Sequence, residues 1–110
     1  MLIPNAAKAI IAPEKLRDYL LNPAHRRSAT KAKFLLACGY RADAWDVLEA
    51  DLRTQHLTAD YARAKENYFG RRFEIRVPIS TPSGSQVMIQ SVWQIDEGTE
   101  VPRLITIYPR

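Results

Sequence analysis

The feature that most limits how this chain can fold is a change of period near Thr58. Before it, apolar residues recur at helical spacing; after it, they alternate. Phe73, Ile75, Val77 and Ile79 take turns with Arg72, Glu74 and Arg76, and Val87, Ile89, Ser91, Trp93 and Ile95 take turns with Met88, Gln90, Val92 and Gln94. Such alternation belongs to half-buried strands, with one face on a core and the other nearer water. Thr81–Ser85 (TPSGS) is a Pro-then-Gly turn of hairpin length, and Asp96–Gly98 (DEG) turns the chain toward a last strand over Arg103–Tyr108. A strand around Tyr61–Asn67, turned at Phe69-Gly70, completes a set of four. Consecutive strands with short turns predict an antiparallel β-meander.

The half before Thr58 reads as three helices. Pro13 suits a first turn, where its missing N–H is not needed, and Leu16, Tyr19 and Leu20 follow at i, i+3, i+4 until Asn22-Pro23 ends the helix. Ser28 is placed to cap a second helix over Ala29–Cys38 that stops at Gly39. Apart from Thr30, Lys31 and Lys33 this helix is apolar on nearly every side, so it should be central. Asp43 is placed to cap a third, with Trp45, Leu48 and Leu52 inside and Asp46, Glu49 and Arg53 outside. The expected architecture is therefore α+β, with three N-terminal helices packed on a four-stranded antiparallel β-meander in a single domain, residues 1–110. Phe34, Leu35, Trp45, Leu48, Leu52, Ile75, Val77, Val92, Trp93 and Ile105 are its expected core.

Several function classes drop out. With 46% hydrophobic residues and no apolar run long enough to cross a bilayer, the chain is expected to be soluble, with no membrane association. Pro4 and Lys8 interrupt what would be the apolar core of a signal peptide, so a cytoplasmic location is expected. Cys38, the single cysteine, sits between Ala37 and Gly39 and reads as a core thiol. The two histidines, His25 and His56, are far apart and no Cys/His spacing resembles a zinc site, so no metal is expected. Each of the four glycines stands alone at a turn, which leaves no phosphate-cradling loop, and no cofactor is expected.

The net charge of +4 points toward an anionic partner, and its distribution says more than its total. Residues 22–41 hold five Lys/Arg and no acid, residues 42–60 hold five acids against Arg53 alone, and residues 61–76 return to five Lys/Arg against Glu66 and Glu74. Two basic blocks flank an acidic one. If folding joins them they form a patch suited to phosphate; otherwise each is a solvated face.

The first basic block contains the candidate chemistry. Metal-free cleavage of RNA needs a group of near-neutral pKa for the 2′-hydroxyl proton, an acid for the leaving oxygen, and cations where charge builds on phosphorus. His25, Arg26, Arg27 and Lys31 can supply all three, and Thr106, a polar residue in the last strand, joins His25 and Lys31 as a candidate catalytic residue. Lys31 is the least ordinary, because its neighbours at i+3, i+4 and i+7 are Phe34, Leu35 and Cys38; a lysine rooted there must snorkel or find an anion. Arg72 and Arg76 are candidate anion- or nucleic-acid-binding residues with Arg26 and Arg27, although cross-strand ion pairing with Glu74 on the same face is the favoured explanation and needs no ligand. His56, at the end of an acidic helix, reads as a partner of the helix dipole.

The runs KLRDYLLNPAH (Lys15–His25), KAKF (Lys31–Phe34), TPSG (Thr81–Gly84), SVWQID (Ser91–Asp96) and VPRLITIYP (Val101–Pro109) resemble a small family of uncharacterised bacterial domains found alone and at the ends of secreted polymorphic toxins. The last run is also similar to the final strand of the barnase/EndoU/colicin/RelE-like ribonuclease fold. The family pattern after the first helix resembles His-Pro-x-Gly-Arg-x-Lys-Ala: His25, Lys31 and Ala32 match it, whereas Arg26, Ser28 and Ala29 depart from it. The resemblance implies a toxin–antitoxin arrangement, with RNA as a possible substrate and a small SH3-like protein encoded alongside as a possible partner. Two readings stay open at this point. One is a toxin-like, metal-independent RNA-cleaving or RNA-binding domain; the other is a non-catalytic interaction module, such as an antitoxin, immunity or adaptor subunit, that docks an acidic partner.

Overall fold

A computed structural model describes all 110 residues. Its strand-rich half is one four-stranded antiparallel sheet, with β1 (Arg63–Asn67), β2 (Gly70–Ser80), β3 (Gln86–Asp96) and β4 (Arg103–Pro109) in spatial order β1-β2-β3-β4. The register follows the alternation of the sequence. Phe73 pairs with Trp93, Ile75 with Ser91 and Val77 with Ile89, which sets the apolar phase of β2 and β3 against the helical layer. Arg72, Glu74 and Arg76 fall opposite Gln94, Val92 and Gln90 on the other face.

The helical half corrects the expected fold class. Three regular helices do not form. Lys15–Leu20 winds with a wide π-type turn, the Leu21 N–H donating five residues back to the Leu16 carbonyl at 2.8 Å. This winding puts Leu16, Leu20 and Leu21 together in the core. The regular helix α1 spans Ala29–Ala37; the expected third helix divides into a 3-10 turn at Ala42–Ala44, a seven-residue helix α2 (Trp45–Asp51) and a second π-type stretch, Leu52–His56. The two expected side-chain caps do not form. Asp43 pairs with Arg41 at 2.7 Å instead of capping, and the Ser28 hydroxyl donates to the Tyr19 carbonyl instead of to α1, so neither helix has a side-chain cap.

The core lies between these segments and the sheet. Leu35, Leu48, Leu52, Ile75 and Trp93 are buried in it, whereas Phe34, Trp45 and Val77 are only partly buried against it. Val92 is buried as well, but on the opposite face of the sheet. Gly39 ends α1 with φ +97, and a Cβ there would meet the Ser83 nitrogen at 3.0 Å, so the TPSGS turn can sit against the helix end only because residue 39 has no side chain.

Candidate functional site

The site is built by a bulge. Val92 pairs with Thr106 but Trp93 pairs with Leu104, which leaves Ile105 as an extra residue in β4. Without it, Leu104 and Thr106 would point the same way. With it, Leu104 and Ile107 both enter the core and Thr106 turns to the face that carries Val92 and Glu74. Bulges of this kind re-aim single side chains beside functional sites.

Lys31, in the first turns of α1, meets that re-aimed side chain. Its Nζ donates to Thr106 Oγ1 at 2.9 Å and lies 4.1 Å from the centre of the Tyr108 ring. No carboxylate pairs with it. Partial burial pushes the Lys31 ammonium below the usual lysine range, and a cation–π contact of roughly 0.5–2 kcal/mol offsets only part of that desolvation. Two of the ammonium's three donor directions are taken by a neutral oxygen and a ring face, so an anion is the partner that would complete it.

Across the same face the sheet forms three polar rungs. Arg63, Glu74, Val92 and Thr106 make the first; Lys65, Arg72, Gln94 and Arg103 the second; Arg76, Gln90 and Tyr108 the third. Glu74 does not pair with the arginines beside it. Gln90 Nε2 donates to it at 3.0 Å, and neither Arg72 nor Arg76 has an ion-pair partner, which corrects the cross-strand pairing expected from sequence. Both arginines are exposed. The face is shallow: the depressions of about 290 and 310 Å³ on the surface lie at the β1–β2 hairpin and under the N-terminal segment, away from Lys31.

His25, Arg26 and Arg27 lie in the loop that enters α1, and both arginines are exposed. The His25 ring packs edge-on to Tyr19, with centroids 4.8 Å apart, and its Nδ1 accepts the Arg27 backbone N–H at 3.2 Å. The proton of its neutral form therefore sits on Nε2, which makes the ring a donor there. No hydrogen bond joins His25 to Lys31 or to the sheet. Of the sequence candidates, the structure thus brings together Lys31 and Thr106, sets Arg72 and Arg76 on the face Thr106 shares, and leaves His25 with the loop arginines. No three ligating side chains cluster as a metal site would need.

Two polar residues were missed or misread. Tyr108, not singled out from the sequence as a site residue, is the ring beneath Lys31; its place two residues beyond Thr106 was the available signal. His56, read as a dipole partner, is fully buried in a chain of hydrogen bonds. Its Nδ1 lies 2.7 Å from Ser91 Oγ, its Nε2 lies 3.2 Å from the Val77 carbonyl, and Trp93 Nε1 donates to the same Ser91 oxygen at 2.8 Å. The arrangement closes with His56 neutral, its Nε2 donating to Val77 and its Nδ1 accepting from Ser91. Burial drives its pKa down to about 4.

The comparisons with known proteins match this geometry at the level of fold. One chain of the contact-dependent growth inhibition toxin–immunity protein complex from Klebsiella pneumoniae 342 is similar in structure, with a TM-score of 0.71 and 16% sequence identity, over 92% of this chain and 99% of that one. No curated protein matches the sequence. A family described as a domain of unknown function, DUF6883, matches residues 2–110, nearly the full length, and the chain belongs to that family.

Proposed function

We propose that this chain is the toxin-type member of a toxin–immunity pair and that it engages RNA through the phosphate backbone on the sheet face reached by Lys31. The observation that carries the reading is the Lys31 ammonium, partly desolvated, without a carboxylate, and held against Thr106 and Tyr108 where an anion would complete it. Arg72 and Arg76 extend the positive charge across the face, and Arg26 and Arg27 border the same end of α1. A shallow basic face suits a polymer better than a small ligand, which is normally enclosed. The likeness to a chain of a toxin–immunity complex supports the pair.

Phosphate binding needs nothing more than these cations. Cleavage needs more: the 2′-oxygen attacks phosphorus, its proton passes to a base, and the 5′-oxygen leaves with a proton from an acid. In this reading Lys31, whose proton is loosened by partial burial, serves as that acid. For His25 to be the base, its ring must release the Arg27 N–H and offer a lone pair to the 2′-hydroxyl. The test is expression with and without the neighbouring gene, scored for growth arrest, together with RNA binding across a salt series. Arrest lifted by Lys31→Ala, and binding that falls steeply with salt, are expected; wild-type protein that neither arrests growth nor binds RNA at low salt overturns the reading.

The rival reading, a non-catalytic antitoxin, immunity or adaptor subunit, is favoured by one specific observation. β1 is an uncovered sheet edge, and the hairpin after it exposes Tyr68 and Phe69. The growth test separates the two, because an immunity-type subunit would relieve arrest instead of causing it.

A further inference from the structure

The two edges of the sheet are treated differently. Along β4, the N-terminal segment closes the start of the edge: the Ile10 N–H donates to the Pro102 carbonyl at 2.8 Å and the Leu104 N–H donates to the Ile10 carbonyl at 3.0 Å. Along β1 nothing does so. All five residues from Arg63 to Asn67 are exposed, and β2 is the strand's one neighbour, so the backbone groups on the outer edge have no strand partner. At the tip of the hairpin Tyr68 is 91% exposed and Phe69 69% exposed, their rings edge to face at 5.3 Å. Open edges are normally blunted because they template pairing with another chain.

Charge decides what can pair there. Arg63 and Lys65 share one face, Ala64 and Glu66 the other. A second copy of this chain would approach about a two-fold axis perpendicular to the sheet, and because paired residues share a face, that axis must fall on a residue. Centred on Lys65 it sets Lys65 against its own copy; on Ala64, Arg63 against Lys65; on Glu66 or Arg63, each against itself. Each of these four registers opposes like charges, and one centred on Asn67 runs at once into the turn at Tyr68 and Phe69, which disfavours self-pairing.

We infer that β1 is the docking edge for a different protein, which adds an extended strand carrying acidic residues opposite Arg63 and Lys65 and an apolar group over Tyr68 and Phe69. Main-chain hydrogen bonds supply the pairing and the alternate acids supply the selectivity. Arg71 and Arg72, exposed on the adjoining strand, add to the positive field this segment would meet. The inference rests on the pair reading above, since the strand belongs to the partner of that pair; it does not depend on RNA.

The test uses a blocked peptide in which glutamate alternates with valine, titrated into the full chain and followed by backbone amide NMR and hydrogen exchange. Shifts and new protection confined to Arg63–Asn67 and the hairpin tip are expected. Lys65→Glu should weaken binding about tenfold, the scale for turning one attractive cross-strand pair into a repulsive one. N-methylation of the amides on one edge of the peptide should abolish binding, and Lys31→Ala should bind it as wild type does. The inference is overturned if the peptide does not bind at millimolar concentration, binds Lys65→Glu equally, tolerates methylation of each edge in turn, or shifts Thr106 and Tyr108 instead. Growth arrest and salt-dependent RNA binding read the function itself, so this edge can fail while that reading stands, and the reverse.

Discussion

Among the polar side chains that bridge the helical half and the sheet, His56 and Lys31 are built on opposite principles. His56 reaches Ser91, Val77 and Trp93 in a chain where every donor has an acceptor and no valence is left over. Lys31 reaches Thr106 and Tyr108, and its charge is left without a counter-ion. A closed network contributes to stability and specifies one packing. An open one is retained at a cost, and the cost points to a ligand. The difference teaches where to look for function: burial depth alone would have favoured His56, whereas unspent hydrogen-bonding capacity favours Lys31.

The comparison breaks most easily at its buried end. His56→Ala removes a packed ring and strands the Ser91 hydroxyl and the Val77 carbonyl, and should destabilise by about 3 kcal/mol, lowering the melting temperature by more than about 10 °C in thermal unfolding. Lys31→Ala should cost less than about 1 kcal/mol. Equal losses would mean that both groups are structural.

Acid should act on the same end. The His56 pKa lies near 4 in the folded protein and near 6.5 when unfolded, so as pH falls between those values the unfolded chain binds the proton and the folded one does not. The His56 contribution to stability is therefore fully present above pH 6.5 and should fall toward pH 4 by at most about 1.4 kcal/mol per pH unit. Chemical denaturation of wild type and His56→Gln across that range checks it: the variant should lose the His56 part of the slope, and Lys31→Met should keep it.

Smaller changes sharpen the contrast. Trp93→Phe deletes one donor to Ser91 and should cost about 1–2 kcal/mol with function intact, since the network does not touch the outer face. Lys31→Met keeps the stem and omits the charge, and should leave the melting temperature within a few degrees.

How far these groups could be read from sequence depended on whether the signal was local. The apolar phases of Phe73–Ile79 and Val87–Ile95 are local, so the faces of β2 and β3 were legible. Lys31 was legible too, because its helical neighbours are apolar and lie within seven residues. The orientation of Thr106 was not, since it depends on the register of β4 against β3 and on the bulge at Ile105. The capping roles of Ser28 and Asp43 failed because other partners take their side chains: the Tyr19 carbonyl, nine residues back, and Arg41, two residues back. For His56 there was an overlooked clue. Ser91 stands in the buried phase of its strand among Ile89, Trp93 and Ile95, and a serine there requires a polar partner from elsewhere.

The most direct test of the claim that the Lys31 face is functional and the His56 network structural is growth of bacteria expressing Lys31→Met, matched to wild type for soluble protein and melting temperature. The account predicts that wild type arrests growth and that Lys31→Met does not, although it folds as stably. Arrest by Lys31→Met as strong as that by wild type would contradict it, because a methionine restores the packing of the stem and nothing of the charge.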